Sequence, residues 1–376
     1  MGWRMNIPAC AFRSSLFRPE WIIFGIIPLL HPLRPEEGWV FKTGLIGMIS
    51  GLCIAVNIRR IPPMNPALQA AFCWPAFIAA RAVFSPHPEA SLLPLAEGMI
   101  LPVVAMLFPD PARSGRSLRV ILLIQGILLL PFALGLRIGS QNWRPFYNEN
   151  YLAFHLMATA MVLHAFWSDR AVPFALVCGA MFTGTSSVLP GFLAYCASAV
   201  TLSMKNNPAW KYAALCAAAF GFLILLSLTL RELPGKSSWE HRLLMWKSAL
   251  FMFREAPFIG KGPGTYFVHY PRAIKEYPAL NTKYNLSMFA HNDPMEVMAE
   301  CGITGVTVYF AIFATICARL SARFSAVYVG MFFAGLFSMP SHMGTVQALL
   351  GLCLAGGSSV VEANWDGKRV PAIPAG

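Results

Sequence analysis

Apolar runs long enough to cross a bilayer recur along this chain, each closed by Pro, Arg or a short polar cluster. Such runs mark a helical bundle, whereas an outer-membrane barrel gives only a weak alternation over short segments. Twelve helices are predicted, with spans near 21–33, 38–56, 67–84, 91–108, 118–138, 149–168, 172–187, 189–204, 210–230, 294–318, 323–340 and 343–357. The first is short and contains Pro28, and the seventh and eighth are separated by only a few residues, so the count is good to two. The expected fold class is all-α, a polytopic transmembrane bundle with one long polar loop, 231–293, that contains short or interfacial helices.

Composition strengthens this reading. The chain is 56% hydrophobic and 12% charged, against roughly a quarter charged residues in ordinary soluble domains. Basic residues fall on alternate connections: Arg59 and Arg60, then Arg113, Arg116 and Arg119, then Arg170, then Lys205 and Lys211, then Arg319 and Arg323. The opposite connections are poorer, with Arg34, Arg137 and Arg144 the main basic residues. The positive-inside rule then puts both termini in the cytoplasm and the loop outside. This gives an N-terminal tail over 1–20, helices over 21–230, an extracytoplasmic loop over 231–293, helices over 294–358 and a C-terminal tail over 359–376. The net charge of +12 is largely topological, which excludes a nucleic-acid partner and leaves membrane lipids as the surroundings.

The nine cysteines include no C-x-x-C and no Cys/His pair at ligand spacing, so no metal site and no cofactor is expected. Most lie in apolar spans, where they read as small buried hydrophobes. Trp21 onwards lacks a small-residue cleavage site and reads as a retained first helix.

Chemistry-capable residues gather in the loop. Near its end, Ala290-His291-Asn292-Asp293-Pro294 leads into an apolar helix. Asp293 suits a cap and Pro294 the first helical position, so His291 sits just outside a helix N-terminus. The positive dipole end disfavours a charged imidazole, and free backbone N–H groups there can hold an anion. A neutral histidine beside an anion site can serve as a general base.

Earlier in the loop, residues 238–254 mix apolar positions at helical spacing with Arg242, Lys247 and Arg254, as in a helix at a membrane surface or one facing a substrate. Pro257-Phe258-Ile259-Gly260-Lys261-Gly262-Pro263-Gly264 reads as a turn or, on weaker grounds, as a backbone cradle for a ligand. Arg272, Lys275 and Lys283 sit among Tyr266, Tyr270, Tyr277 and Tyr284, which suits either a lipid-linked glycan or a membrane interface. Within the spans, Glu97, His155 and His164 are costly polar groups. His155, near the outer face, is expected to share a cavity with His291. Glu97 and His164 are expected to be hydrogen-bonded inside the bundle.

Taken in order, Arg242-x-x-x-Trp246, the Pro257-x-x-Gly260-x-Gly262-x-Gly264 loop, His291-Asn292 and Glu300-x-Gly302-x-x-Gly305 resemble the signature of the bacterial O-antigen ligase and polymerase superfamily. Phe146-Tyr147-Asn148-Glu149-Asn150-Tyr151 resembles its Asn-rich helix opening, and Phe337-Ser338-Met339-Pro340 its tail, so the likeness covers roughly 130–358. The resemblance implies a multi-pass enzyme of the bacterial inner membrane with its site at the periplasmic face. It would move a glycan from an undecaprenyl diphosphate carrier to an acceptor hydroxyl. The reading is O-antigen ligase-like, with the lipid A core as acceptor. The alternatives are an O-antigen or exopolysaccharide polymerase, a protein O-oligosaccharyltransferase and, in another class, a lipid or polysaccharide transporter.

The family histidine is matched by His291 and its loop arginine by Arg242. A Ser-Arg-Gly arginine found in many members is absent, because this chain has Thr185-Ser186-Ser187-Val188 there. Arg137, Arg144 or Lys261 is then expected to supply the charge, unless the acceptor differs. Since the loop has no D-x-D motif, fixed cations are expected to hold the diphosphate without a metal, Arg242 first and Lys261 and Arg272 after it. His291 would take the acceptor proton or hydrogen-bond the diphosphate. Asn292 would orient the histidine or contact sugar hydroxyls, while Glu296 and Glu300 support the helix.

Overall fold

The computed structural model describes residues 19–30, 38–57, 64–108, 115–136, 145–146, 148–167, 171–185, 188–203, 237–278 and 287–358. Among these the chain is helical and contains no strand. The long helices are α1 (Gly38–Asn57), α2 (Pro66–Val83), α3 (Leu92–Leu107), α4 (Gly115–Ala133), α5 (Glu149–Trp167), α6 (Ala171–Phe182) and α7 (Val188–Ser203). After the predicted ninth span, which lies outside the described residues, come α8 (Ser237–Glu255), α9 (Tyr266–Ala273), α10 (Asp293–Arg319), α11 (Ala322–Gly335) and α12 (Gly344–Ser358). Pro88–Leu107, Arg116–Ala133 and Asp293–Arg319 are long and apolar enough to cross a membrane. The predicted first span is a distorted stretch, π-helical over Trp21–Ile26 and 3-10 over Ile27–Leu29, because Pro28 cannot continue a regular hydrogen-bond ladder.

Helix α5 is the centre of the bundle: Leu152 to Leu163 are buried on every face, in a core that runs from Ile23 to Ala355. Backbones approach closely where side chains are small. A Cβ added to Gly330 would lie 2.9 Å from the Gly191 carbonyl, so α7 and α11 meet through two glycines. Pairs α3–α12 and α5–α6 also pack along their lengths.

Helix α10 is broken at Gly302, whose φ of 63° and ψ of −162° are non-helical. The break frees the Ala299 and Glu300 carbonyls and the N–H groups of Ile303 and Thr304, which would otherwise bond one another in the i to i−4 pattern. The glycine-rich loop takes their place. Lys261 N–H donates to the Ala299 carbonyl at 3.1 Å and Gly262 N–H to that of Glu300 at 2.8 Å. In return, Ile303 N–H donates to the Pro257 carbonyl at 2.8 Å and Thr304 N–H to that of Phe258 at 3.3 Å. Gly260 is the closest approach: at φ 68° its missing Cβ would collide with the Glu300–Cys301 backbone. The loop is also fastened to α2 and to the residue that precedes α3, by Arg81 Nη2 on the Ile259 carbonyl at 2.7 Å and Ser91 Oγ on that of Pro263 at 2.8 Å.

A small second core joins α8 and α9 to the start of α10. It contains Leu244, Met245, Met252, Tyr266, Tyr270, Ala290 and Ala299. The Tyr266 and Tyr270 rings stack at 5.5 Å, and the Tyr266 hydroxyl donates to the Met245 carbonyl at 2.9 Å. One turn apart on α9, both face the same way, and α8 covers them. Both rings are therefore interior groups of this cap, unavailable to a sugar or a membrane surface.

Candidate active site

The turn carrying His291 is shaped by α10. Its cap is Asn292 rather than Asp293: Asn292 Oδ1 accepts the Met295 N–H at 3.0 Å, and Nδ2 donates to the Leu336 carbonyl at 2.7 Å. Both ends of that amide are engaged by backbone, and neither reaches the histidine. Asp293 instead turns to the next connection, where its Oδ2 accepts the Ser341 N–H at 3.3 Å. His291 has φ 52°, the left-handed region that costs an ordinary residue energy. The residue before it is held from α10 by Glu296 Oε2, which accepts the Ala290 N–H at 2.7 Å.

His291 is neutral. Burial pushes its pKa down to about 3, and the nearby Arg242, His241 and His342 push the same way. The helix position suggested a neutral ring; the larger cause is enclosure, and Nδ1 is buried without a hydrogen-bond partner. Arg242 and His241, on the first turns of α8, face this ring closely enough to be felt by it. Arg242 is half-buried, its own pKa is lowered by burial, and among the described residues no carboxylate pairs with it. An unpaired half-buried guanidinium whose field reaches a neutral imidazole has the donors that an anion would need.

The other expected cations are spoken for. Lys261 Nζ lies 2.7 Å from Glu255 Oε2 and Arg272 Nη2 lies 2.7 Å from Glu255 Oε1, so both are paired with one shared carboxylate. The backbone of the glycine loop is likewise committed to α10. Arg137 and Arg144 lie outside the described residues, as do Lys283 and Tyr284. His155 belongs to another polar group: its Nε2 is 2.7 Å from Gln125 Nε2, its ring stacks on Phe146, and Lys42 Nζ lies 3.7 Å from the centre of the Phe146 ring. His164 bonds the Tyr195 hydroxyl at 2.6 Å, a hydrogen-bonded bundle role as expected.

A histidine absent from the sequence reading completes the neighbourhood. His342, in the turn between α11 and α12, places Nδ1 2.7 Å from Glu97 Oε2 and Nε2 2.9 Å from Glu296 Oε1. Burial opposes its protonation, but the two carboxylates outweigh that and hold its pKa well above the usual histidine value. The signal for it was Glu97 itself, since a carboxylate inside a span demands a partner. Glu300 supports α9, as Oε2 accepts the Gly264 N–H at 2.8 Å and Oε1 the Tyr266 N–H at 2.9 Å.

Residues 171–310 match the family model described as O-antigen ligase. This match supports the likeness to the O-antigen ligase and polymerase superfamily. The matched stretch extends from α6 into α10 and contains Arg242, the glycine loop and His291, whereas Glu97, His155 and His342 lie outside it. Members of the O-antigen ligase family are membrane enzymes of glycan ligation and polymerisation, acting in general terms on a lipid-linked glycan donor and a glycolipid or glycan acceptor. A comparison with curated proteins finds no match.

Proposed function

We propose that this protein transfers a glycan from an undecaprenyl diphosphate carrier to an acceptor hydroxyl, in an O-antigen ligase-like reaction at the periplasmic face of the bacterial inner membrane. The observation that carries this reading is the pairing of neutral His291, with an unused ring nitrogen, and unpaired Arg242 on the facing helix.

In this mechanism Arg242 grips the diphosphate through two N–H groups. The acceptor oxygen attacks the anomeric carbon, its proton passes to the His291 imidazole, and the bond from that carbon to the phosphate oxygen breaks. The electron pair leaves with the diphosphate, and the anomeric configuration inverts. Bound diphosphate offsets the positive field of Arg242, one of the causes that depress His291, and so raises the basicity of the ring at the moment it is needed. The fixed guanidinium of Arg242 does the work of charge stabilisation without a divalent metal, so transfer should persist in excess chelator.

Deletion of the chain followed by analysis of envelope glycans tests the reaction. Long glycans accumulating on the carrier are expected for a ligase; single repeat units would identify a polymerase. For the mechanism, His291→Asn keeps hydrogen bonding but accepts no proton at neutral pH. A general base contributes about 10²- to 10⁴-fold, so a loss of that size is expected, and near-normal turnover would leave His291 as a diphosphate ligand.

A further inference from the structure

Two cavities meet at the His342 cluster. One, of about 180 Å³, lies between α2, α3, α10, α11 and α12 and is mostly apolar, lined by residues such as Trp74, Ile312 and Phe332. The other, of about 320 Å³, opens between α3, α9 and Met288–Phe289. The second is at the small end of the range for ligand sites, about 300–1,000 Å³. Its chemistry is unlike that of the Arg242 side. Among the described residues its wall contains no lysine or arginine, but it contains the buried carboxylates Glu97, Glu296 and Glu300, together with His342 and the rings of Phe267 and Phe289.

The oxygens of those three carboxylates differ in availability. Both oxygens of Glu300 accept backbone N–H groups of Gly264 and Tyr266. Glu296 is divided between His342 and the Ala290 N–H. Glu97 gives Oε2 to His342, but its Oε1 has no partner although the residue is only 3% exposed. Glu97 Oε1 is therefore the one oxygen of these three carboxylates left without a partner, on a residue that lines both this cavity and the first, and such a buried atom costs free energy until a donor reaches it. A diphosphate cannot be that donor, because it carries no proton to give and is repelled by the carboxylates. A sugar hydroxyl can, and the exposed Phe267 ring suits the C–H side of a pyranose ring, while Phe289 packs on His342 in the wall.

We propose that this cavity is the subsite for the acceptor sugar, with Glu97 Oε1 receiving a hydroxyl proton of the acceptor in a hydrogen bond. The assignment rests on the glycosyl-transfer reading above and adds a division of labour to it. The leaving diphosphate lies on the cationic Arg242 side and the neutral, hydroxyl-rich acceptor on the acidic side. The two sides adjoin at the His291 turn, since Phe289 is in the cavity wall and Glu296 holds Ala290.

The test uses the full chain in lipid nanodiscs with a polyprenyl-diphosphate-linked glycan as donor. Either rough-type lipopolysaccharide or a second carrier-linked repeat unit serves as acceptor, whichever the wild type uses. Glu97→Gln should raise the acceptor KM by about ten- to a hundredfold, the loss expected when a hydrogen bond to a charged group is weakened. The donor KM should stay within about twofold of wild type on that same reasoning. Phe267→Ala, at an exposed wall position where truncation leaves the fold intact, should raise the acceptor KM in the same direction. An unchanged acceptor KM in both variants, or an equal rise in donor KM, overturns the subsite. Wild-type protein that transfers to neither acceptor removes the glycosyl-transfer reading and this one with it.

Discussion

Glu296 Oε1 lies 2.9 Å from His342 Nε2, so a carboxylate on the first turn of α10 ties the turn after α11 to the segment that carries His291. One side chain thereby sets the position of two others. Glu296→Ala should destabilise the protein by about 3–5 kcal/mol, because it leaves a charged His342 with one partner fewer in a buried setting. Glu296→Gln, which keeps an oxygen for the Ala290 N–H, should cost less. Thermal unfolding of the two variants in detergent gives the comparison, and equal losses would show that the Ala290 bond is immaterial.

The same cluster gives a pH dependence with a definite sign. His342 has a folded pKa raised above its unfolded value, so its contribution to stability is fully present below about pH 6.5. It is lost as pH rises through the raised pKa. The excess thermal stability of wild type over His342→Gln should therefore be greatest in the acidic to neutral range and shrink towards alkaline pH. His291 works in the opposite sense. Its folded pKa of about 3 means that the unfolded chain binds a proton first as pH falls below about 6.5, so wild type should lose stability relative to His291→Asn between there and about pH 3.

Arg242 and Lys261 should behave differently although both are cations near the loop. Arg242→Lys keeps the charge but loses the two-pronged donor and should reduce transfer at least about tenfold. Lys261→Ala removes a residue already paired with Glu255 and should leave transfer within a few-fold. Its cost in stability should be about 0–1 kcal/mol. Steady-state kinetics on purified variants distinguishes the two, and a larger effect at Lys261 would move the diphosphate towards the glycine loop.

The loop inserted in α10 makes a prediction about backbone. Gly260→Ala forces a side chain into the Glu300–Cys301 backbone at a positive φ and should cost more than about 3 kcal/mol or prevent accumulation altogether. Gly44→Ala on α1, where a Cβ meets nothing within 4 Å, is the control. It should be neutral or stabilise by up to about 1 kcal/mol. Both are read from the melting temperature of the detergent-solubilised protein.

Local signals in the sequence were enough to locate most helices, because long apolar runs closed by Pro and Arg leave few alternatives: the expected 67–84 is observed as Pro66–Val83 and the expected 149–168 as Glu149–Trp167. The helix start pointed to a neutral His291, but the largest cause of its lowered pKa, burial, left no local trace. Long-range pairing was not legible either. Nothing near Gly260 announces that its neighbours will donate to Ala299 and Glu300, and nothing near Ser341 marks His342 as the partner of Glu97. The cap passed from Asp293 to Asn292 because a tertiary acceptor, Leu336, completes the amide, a contact with no local trace.

The splice between residues 257–262 and the break at Gly302 also limits how this protein can be recombined. A chimera that exchanged residues 237–292 alone for those of a relative would leave two carbonyls and two N–H groups of α10 dependent on a foreign loop. The inheritable unit is therefore the loop with its broken helix, and a working exchange of donor specificity has to cross over beyond Thr304, inside the helix rather than at its visible start.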